Sequence, residues 1–426
     1  MTRVNVWGVG IGLVLGAAAM SIGACADDGL VRETPRERAE VTEAAPVADD
    51  ASVVDVARAE YQDGRYRGIF EDGGEQQVSI QFDLRDGVMS GVRFRHLQYR
   101  GVDYGALEED DAFYPVLQQH RQIADYLNGR PLSAIDDVKS PGDIAEDIDG
   151  FTGATIRGAK IASALRDALN RDIYSPANGL VRSVPDAGNG RYRGVYGDGG
   201  EQQVSVQFSV ANGTLTGISF RHLQYRGTDY RRLEQGDQLY PIVIQHQQIT
   251  EYLEGRPLEA IFDLHTPGEF IDDVDGWTGA TIRGAKVFSA MRDALNRGLY
   301  TPPNGFSTEI EGYADGRYRG TYGDGGEQQV SIQFHLNGGV IENVSFRHLA
   351  YRGTNYRALE EGDTLYPILT QHQQIADYLD GRPLSSIIDL HSPGDFVADI
   401  DGWTGATVRA NKVYSAMRDA LNRGTY

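Results

Sequence analysis

The chain repeats itself at a spacing of 126 residues, and this repetition limits the possible folds more than any other feature. The stretch DGRYRGIFEDGGEQQVSIQF at 63–82 returns with few changes at 189–208 and again at 315–334. Periods of 20–50 residues indicate solenoids, whereas a period of this length has the size of a whole domain. The sequence therefore predicts three tandem domains over 63–172, 189–298 and 315–426, joined by connectors that carry Pro, Gly and Asn.

Each copy has the same order of predicted elements. In the second copy, RYRGVY, EQQVSVQFSV and TLTGISFRHL predict three strands joined by Gly-rich turns, and the middle strand alternates apolar residues on one face. The apolar stripe of YPIVIQHQQITEYLEG predicts a helix that ends at Gly255, and a second amphipathic helix follows after residue 283. Each domain is therefore predicted to be α+β, a small antiparallel meander whose one apolar face is covered by two main helices.

The N-terminal segment predicts export and lipid attachment. Arg3 and the apolar run from Val4 to Met20 are typical of a signal peptide over residues 1–25. The segment ends in SIGAC, which resembles the lipobox of bacterial lipoproteins and would make Cys25 the acylated residue; a retained membrane helix is the alternative. Residues 26–62 lack an apolar period over most of their length, which predicts a flexible tether.

These features predict a protein anchored by lipid in the bacterial cell envelope, on the periplasmic or outer-membrane face. Ala26 directly after the cysteine favours the outer membrane. The net charge of −21 argues against nucleic-acid partners, because binding to phosphate backbones needs clustered cations. Cys25 is the only cysteine, so its acylation would leave no thiol for a disulfide or a metal site, and we find no metal-ligand spacing.

A small-residue motif occurs once per copy, as DGFTGATIRGAK at 149–160, DGWTGATIRGAK at 275–286 and DGWTGATVRANK at 401–412. We expect Asp275 or Thr278 to cap the helix that follows, which would place Gly279 and Ala280 in its first turn with free N–H groups. Such a helix start can bind an anion, and the two cations that follow in the motif, Arg283 and Lys286, could bind a phosphate. Three of the four lysines in the chain stand at this motif position. The alternative is an ordinary capped helix with a solvated cationic face.

The motif also resembles a known family. Asp followed by Thr-Gly-Ala-Thr and a helix is similar to the signature of the FMN-binding domain family, which includes the C subunit of the sodium-translocating NADH:quinone reductase. The resemblance covers all three repeats and implies FMN as the cofactor and electron transfer as the activity. In that family a Thr or Ser two residues after the second Thr is esterified to the FMN phosphate by a flavin transferase.

This sequence departs from the family at the acceptor position, which falls on Arg157, Arg283 and Arg409. Arginine has no hydroxyl, so a phosphoester cannot form there. The preceding family threonine is matched by Thr155, Thr281 and Thr407, and it is not the usual acceptor. Two interpretations remain: the arginine binds the phosphate of noncovalent FMN, or the domain has lost flavin and serves as a non-redox tandem binding module.

The first interpretation predicts an electron carrier, or a component of a redox system with partner proteins in the cell envelope, more readily than a stand-alone enzyme. The candidate cofactor-binding residues are Asp149, Thr152, Gly153, Ala154, Thr155, Arg157 and Lys160 in the first copy, Asp275, Thr278, Gly279, Ala280, Thr281, Arg283 and Lys286 in the second, and Asp401, Thr404, Gly405, Ala406, Thr407, Arg409 and Lys412 in the third.

Two further sets of residues have both a structural and a functional interpretation. One histidine per copy (His120, His246, His372) lies on the apolar stripe of the first helix. It is either a hydrogen-bonded core residue or a residue that contacts the flavin ring. The strand-end segments RHLQYRG and RHLAYRG supply a second set, of histidines and tyrosines. These side chains either pack in the core or bind the flavin ring. Its members are His96, His222, His348, Tyr99, Tyr225 and Tyr351. The pair Asp272–Asp273 is interpreted as solvated turn charge.

Overall fold

The computed structural model describes residues 61–426 except 154–155, 178, 186, 280–281, 305–307, 309 and 406–407. Cys25, the predicted signal peptide and nearly all of the predicted tether lie outside the described residues. The described residues belong to one compact unit, in which three α+β repeats each have an antiparallel sheet and two main helices. The predicted fold class is confirmed.

The helices and strands recur in the same order in each repeat. Repeat 1 has β1 (Gly64–Asp72), β2 (Glu75–Arg85), β3 (Val88–Tyr99), β4 (Val102–Asp103), α1 (Tyr114–Leu127), α2 (Gly158–Asn170) and β5 (Ser175–Pro176). Repeat 2 has β6 (Gly190–Asp198), β7 (Glu201–Ala211), β8 (Thr214–Tyr225), β9 (Thr228–Asp229), α3 (Tyr240–Leu253) and α4 (Gly284–Arg297). Repeat 3 has β10 (Gly316–Asp324), β11 (Glu327–Asn337), β12 (Val340–Tyr351), β13 (Thr354–Asn355), α5 (Tyr366–Leu379) and α6 (Ala410–Arg423).

Each sheet is a meander in which neighbouring strands pair antiparallel, in the order β4-β3-β2-β1 in repeat 1 and likewise in the others. The second helix of the repeat packs directly on the first strand. A Cβ atom on Gly68 would lie 2.2 Å from the carbonyl oxygen of Ala164 in α2, so only glycine allows this close approach. Short 3-10 helices, such as Leu258–His265, connect the two main helices; the sequence patterns did not predict them.

The middle strand of each sheet is buried on both sides, whereas the sequence predicted one buried face. In β2, Val78, Ile80 and Phe82 belong to the apolar core beneath the helices. The alternating polar residues are also buried, because the other face contacts a neighbouring repeat: Ser79 Oγ donates to Asp198 Oδ1 at 3.0 Å. The prediction failed because polar side chains on a strand usually face water.

Three buried arginines and three buried aspartates connect the C-terminal ends of α2, α4 and α6. Arg171 Nε donates to Asp167 Oδ2 at 2.7 Å within repeat 1, and its Nη2 lies 3.3 Å from Asp293 Oδ1 in repeat 2. Equivalent pairs lead from repeat 2 to repeat 3 and from repeat 3 back to repeat 1. These pairs are Arg297 with Asp293 and Asp419, and Arg423 with Asp419 and Asp167. The six side chains form a closed cycle, so the repeats are arranged as a ring.

The carboxylates of this cycle are fully engaged with cations and backbone donors. One oxygen of each aspartate lies within 4.8 Å of the others, with guanidinium groups paired to them. Each aspartate also accepts a backbone N–H at 2.8 Å, from Ile69, Val195 or Thr321. Burial alone would favour the neutral acid, but Arg297 and Arg423 hold the pKa of Asp419 below its usual value, so this carboxylate is charged at neutral pH.

A second cyclic set of contacts joins the same repeats. In each repeat the Gly-Gly turn after the first strand meets the preceding repeat; the Gly200 N–H, for example, donates to Gln76 Oε1 at 2.8 Å. The aspartate before that turn, Asp198, accepts from Arg95 Nη2 of repeat 1 at 2.7 Å. The same contacts join Gly326 to Gln202 and Gly74 to Gln328. The stretch DGGEQQVS, identical in the three copies, therefore forms the junctions of the ring.

The C-terminal residue closes the ring in the same way as the connectors. Tyr174 and Tyr300 follow the second helices of repeats 1 and 2 and stack on Tyr196 and Tyr322 of the next repeat, with ring centroids 5.9 and 5.8 Å apart. Tyr426 occupies the equivalent position after α6 and stacks on Phe70 of repeat 1 at 5.8 Å. Repeat 3 therefore contacts repeat 1 as each earlier repeat contacts its successor.

Removal of one member of the central cycle should cost far more stability than the loss of an ion pair on the surface. We predict that Arg423→Met lowers the free energy of unfolding by about 3–5 kcal/mol, because it leaves Asp167 and Asp419 buried with one cationic partner fewer. The matched control is Arg65→Met, which breaks the half-exposed pair with Asp83 and should cost no more than about 1 kcal/mol. Urea denaturation of both variants measures the difference, and equal losses would contradict the predicted role of the cycle.

Candidate functional site

The helix after the motif begins later than the sequence predicted. Helix α4 starts at Gly284, and its N-cap is Arg283, whose side chain makes no capping hydrogen bond; α2 and α6 start after Arg157 and Arg409 in the same way. The prediction that Asp275 or Thr278 caps this helix, with Gly279 in its first turn, was wrong. Because Arg283 is the N-cap and Lys286 lies in the first turn, the two motif cations stand at the helix start itself.

The motif aspartate belongs to a tight turn. Asp275 has φ 45° and Gly276 φ 80°, and they connect Val274 to Trp277, which pair through backbone hydrogen bonds of 2.9 and 2.8 Å. An Asp-Gly pair with positive φ at both residues is typical of two-residue hairpin turns. Asp149 and Asp401 have φ 48° and 47° in the same turn, and all three aspartates are exposed.

The motif glycine is required by packing within the repeat. A Cβ atom on Gly279 would lie 2.8 Å from Gly268 Cα and 2.9 Å from the carbonyl oxygen of Ile271. Its N–H donates to Asp273 Oδ1 at 2.7 Å, so this donor is not free for an anion as predicted, and the exposed Asp273 braces the motif loop. Gly153 and Gly405 donate to Asp147 and Asp399 at 2.8 and 2.6 Å.

The remaining small residues of the motif divide into two groups. Thr152, Thr278 and Thr404 are exposed beside the glycines. The predicted binding residues Ala154, Thr155, Ala280, Thr281, Ala406 and Thr407 lie outside the described residues.

The motif lysine is buried, which contradicts the alternative of a solvated cationic face for this residue, whereas the motif arginine is exposed. Lys412 is 7% exposed, and its Nζ donates to Gln329 Oε1 at 2.5 Å. No carboxylate of the described residues lies within 4 Å of this Nζ atom. Lys286 and Lys160 make the same contact with Gln203 and Gln77.

Three cations gather around one tyrosine ring in repeat 3. Lys412 Nζ lies 4.3 Å from the ring centroid of Tyr351, and the guanidinium carbons of Arg352 and Arg409 lie 5.2 and 5.7 Å from it. Repeat 1 has the same arrangement, with Lys160, Arg100 and Arg157 at 4.4, 5.2 and 5.6 Å from the Tyr99 ring. Each cation is attracted to the ring face, but the like charges repel one another, so an anion would stabilise the cluster.

These cations line a cavity of about 380 Å³ inside repeat 3. Its walls come from β11, β12, α5 and the start of α6, and they include three aromatic side chains and several aliphatic ones. The aromatic lining residues are Tyr351, Tyr356 and Trp403. None of the described residues that line the cavity is acidic. Arg352 and Arg409 are exposed while Lys412 is buried, so positive charge extends from the solvent edge to the inner wall.

Repeat 3 differs from the other repeats at one wall of this cavity. Ala350 lines it, whereas Gln98 and Gln224 stand at the equivalent positions. Those glutamines donate to Glu75 and Glu201 at 3.1 and 3.2 Å. The smaller side chain leaves more room at this wall in repeat 3.

His372 is a hydrogen-bonded core residue that also lines the cavity. It is buried, and its Nδ1 lies 2.7 Å from the carbonyl oxygen of Ile368, which can only accept; Nδ1 therefore carries the proton of the neutral ring. Burial lowers the pKa of His372 to about 4, so the ring is neutral at pH 7. The same side chain lines the cavity, where Nε2 is left as a hydrogen-bond acceptor.

The strand-end histidine and tyrosine have different locations. Tyr351 lies in the cavity as described, but His348 packs at the junction of repeats 3 and 1. A Cβ atom on Gly74 would lie 2.8 Å from His348 Cε1, so the Gly-Gly turn makes room for this histidine. In the same way, a Cβ atom on Gly200 would lie 2.9 Å from His96 Cε1, and one on Gly326 would lie 2.7 Å from His222 Cε1. Packing therefore explains the histidines.

The motif arginine of repeat 2 lines a groove between repeats. This groove of about 510 Å³ is bounded by Arg67 and Tyr174 of repeat 1 and by Arg283 with its neighbours in repeat 2. Among the described residues, none forms a hydrogen bond or an ion pair with the Arg283 side chain. The start of α4 therefore presents its arginine where two repeats meet.

Sequence reasoning found Arg409, Lys412, His372 and Tyr351 but missed other cavity residues. Trp403 and Arg352 both belong to short stretches that recur in the three copies, DGW or DGF and YRG. Gln329 lies in GGEQQ, which is identical in all copies. Their recurrence in all three copies could have indicated these cavity residues. The residues at the junctions between repeats recur in the same way, so recurrence alone does not distinguish the two roles.

Comparisons of the chain with protein-family models, with curated proteins and with solved structures return no match. Among the described residues, no helix has both the length and the apolar character that a bilayer span requires.

The buried lysine gives the stability a defined pH dependence. Burial, with a smaller effect of Arg409, lowers the pKa of Lys412 from 10.5 to about 8. Between these two values the unfolded chain binds more protons than the folded one, so the free energy of unfolding rises with pH through this group. We predict that the free energy of unfolding of the Lys412→Met variant, taken relative to that of the wild type, is about 1 kcal/mol lower at pH 9 than at pH 7.

Urea denaturation of the wild type and the variant at both pH values measures this change. The comparison cancels the titration of every other group that the two proteins share. A difference in unfolding free energy that stays constant between pH 7 and pH 9 would contradict a buried lysine with a lowered pKa.

Proposed function

We propose that the cavity of repeat 3 binds FMN without a covalent bond, and that the cation clusters at Tyr99 and Tyr225 mark further FMN sites. At Tyr225 the described cations over the ring are Lys286 and Arg226. One observation carries the proposal: Arg352, Arg409 and Lys412 gather around the Tyr351 ring in a cavity with no acidic lining residue. A phosphate would neutralise this cluster through charge-assisted hydrogen bonds.

The cavity residues fit the other part of the cofactor as well. A volume of about 380 Å³ lies within the range of small-molecule sites, which are mostly apolar with a few placed polar groups. Tyr356 and Trp403 offer flat aromatic surface for a ring system, and His372 Nε2 offers one acceptor. Lys412, which also lines the cavity, would supply a second charge close to the anion.

The arginine at the family's acceptor position has a direct chemical consequence. Arg409 cannot form an ester, but its planar guanidinium can donate two parallel hydrogen bonds to one phosphate. The side chain is exposed, and among the described residues it has no ion-pair partner, so binding a phosphate would not require breaking an existing pair. The substitution that prevents covalent attachment therefore also provides a noncovalent alternative.

When bound, FMN supplies the redox chemistry, and the protein sets the position, potential and solvent access of its ring. We therefore propose an electron carrier, or a component of a redox system with partners in the cell envelope, rather than a stand-alone enzyme. Lipid attachment at Cys25 would hold the ring of repeats at the membrane surface. This part of the proposal rests on the sequence pattern of residues 1–25.

We predict that the full chain, supplied with excess FMN and then freed of unbound ligand, is yellow and quenches FMN fluorescence. Acid precipitation should release the flavin into the supernatant, because no covalent bond holds it. Flavin that stays in the pellet would contradict noncovalent binding. A colourless protein would exclude the flavin proposal and leave the non-redox tandem binding protein.

The arginine can be tested separately from the ring pocket. We predict that replacing Arg157, Arg283 and Arg409 together by alanine weakens FMN binding about 10- to 100-fold, corresponding to about 1.5–3 kcal/mol for a lost charged hydrogen bond. Riboflavin, which lacks the phosphate, should bind the variant and the wild type equally. A matched control is Arg382→Ala, because Arg382 lies over Tyr378, which does not line the cavity. Unchanged FMN affinity of the triple variant would exclude the role of these arginines.

A further inference from the structure

We propose that the Lys412 amine is a nucleophile that forms an imine with aldehydes carrying a phosphate or carboxylate. This goes beyond the proposed function, because it assigns a covalent reaction to a residue of the chain and does not require flavin. The surroundings of Nζ, the space beside it and the cations at the cavity edge all favour this reaction.

The Nζ atom is held in place without being neutralised. Among the described residues, its one hydrogen bond goes to Gln329 Oε1, a neutral acceptor, at 2.5 Å, and no carboxylate lies within 4 Å. A neutral amine donating to this oxygen keeps its lone pair for another partner. The Tyr351 ring, 4.3 Å from Nζ, restricts where the amine can move.

The surroundings also favour the neutral, nucleophilic form of the amine. Burial and Arg409 lower the pKa of Lys412 to about 8, with Arg193 acting in the same sense and Asp324 and Glu327 in the opposite one. At pH 7 about one amine in ten is then neutral, against fewer than about one in a thousand for an ordinary lysine with a pKa near 10.4. Desolvation in an apolar surround is one of the ways in which enzymes activate lysines.

The cavity has room for the substrate and a place for its charge. The space of about 380 Å³ lies directly beside the amine, and its aromatic lining suits a planar ring. Arg352 and Arg409 stand at the solvent edge of the same cavity and would bind the anionic end of the aldehyde. An aromatic aldehyde with a phosphate therefore matches both parts of the lining.

The reaction is balanced without any further reagent. The nitrogen lone pair attacks the carbonyl carbon, and the carbonyl oxygen leaves as water, taking up two protons that the amine loses. The product is an imine between Nζ and the former carbonyl carbon, with no change in oxidation state. His372 Nε2 lines the same cavity as a hydrogen-bond acceptor and could carry a proton between the nitrogen and the oxygen.

The experiment uses pyridoxal 5′-phosphate as the probe on the full chain at pH 7. Borohydride reduces the imine to a stable amine, and peptide mass spectrometry maps the modified lysines, of which the chain has only four. We expect Lys412 to be modified at least about ten times faster than Lys139, and Lys160 and Lys286, which share its contacts, to react as well. Modification of Lys412 no faster than Lys139 would overturn the proposal.

Lys139 is a matched control within the same molecule. It is also partly buried, and burial lowers its pKa too, but its Nζ lies 3.3 Å from Asp136 and it does not line the cavity. The comparison therefore tests the cavity and not only the titration of the amine. Because the wild type supplies this result, it does not depend on whether a Lys412→Met variant folds.

The anionic end of the substrate has its own test. The ratio of the modification rates of Lys412 and Lys139 should be at least about ten times lower with pyridoxal than with its phosphate ester. The ratio is compared because free pyridoxal closes a hemiacetal on its own aldehyde and reacts more slowly with every lysine. Arg409→Ala should remove most of this preference, and a preference that persists unchanged in this variant would overturn the assignment of the guanidinium. The outcome is independent of the flavin titrations, so either proposal can fail while the other stands.

Discussion

The closed cycle of three Asp–Arg pairs is the interaction on which the arrangement of the chain depends. Each arginine at the end of a helix pairs with the aspartate of its own helix and with the aspartate of the next repeat. The charge of each arginine is therefore balanced by carboxylates on two helices. Buried ion pairs are costly to desolvate, and removal of one partner leaves an unpaired charge. Such a network tolerates only one relative placement of the repeats. It therefore contributes geometric specificity more than net stability, and the outer contacts of the Gly-Gly turns follow from that placement.

The ring also determines where the candidate sites lie. The first strand of each sheet is covered by the helix that begins at the motif, and the far end of that same helix supplies the central arginine. Packing of the helix therefore fixes both its ends at once: one end in the charged cycle, the other beside the cavity with Arg409 and Lys412. A shift of the helix along its axis would break the cycle before it could reshape the site. The site is consequently held by rigid elements, as a preformed binding cavity requires.

Local sequence patterns predicted the helices and strands of each repeat. The arrangement of the repeats, the start of the second helix and the burial of the motif lysine depend on long-range contacts, which these patterns do not contain. Strand alternation and the helical stripe are properties of short windows, and the meander and two helices of each repeat were predicted from them. The ring was not predicted, because Asp293 and Arg297 four residues apart look like an ordinary pair on a solvated helix end. The helix start was misplaced for a similar reason: Thr-Gly-Ala-Thr resembles a capping sequence, but Asp273 takes the N–H of Gly279 and the helix begins five residues later. The burial of Lys412 could not be predicted from the sequence either, because its partner Gln329 is 83 residues away along the chain.

The stacking of Tyr426 on Phe70 has a consequence for biosynthesis. A ribosome makes repeat 1 before repeat 3, yet two contacts to β1 come from the end of repeat 3: Arg423 donates to the carbonyl oxygen of Ile69, and Tyr426 stacks on Phe70. Throughout translation of the second and third repeats, the nascent chain therefore exposes Phe70 and lacks a cationic partner from repeat 3 for Asp72. Uncovered strand surface of this kind invites association with other chains. A ring built from one polypeptide thus has an obligatory late step, and assistance from a chaperone would matter most for the repeat that is made first.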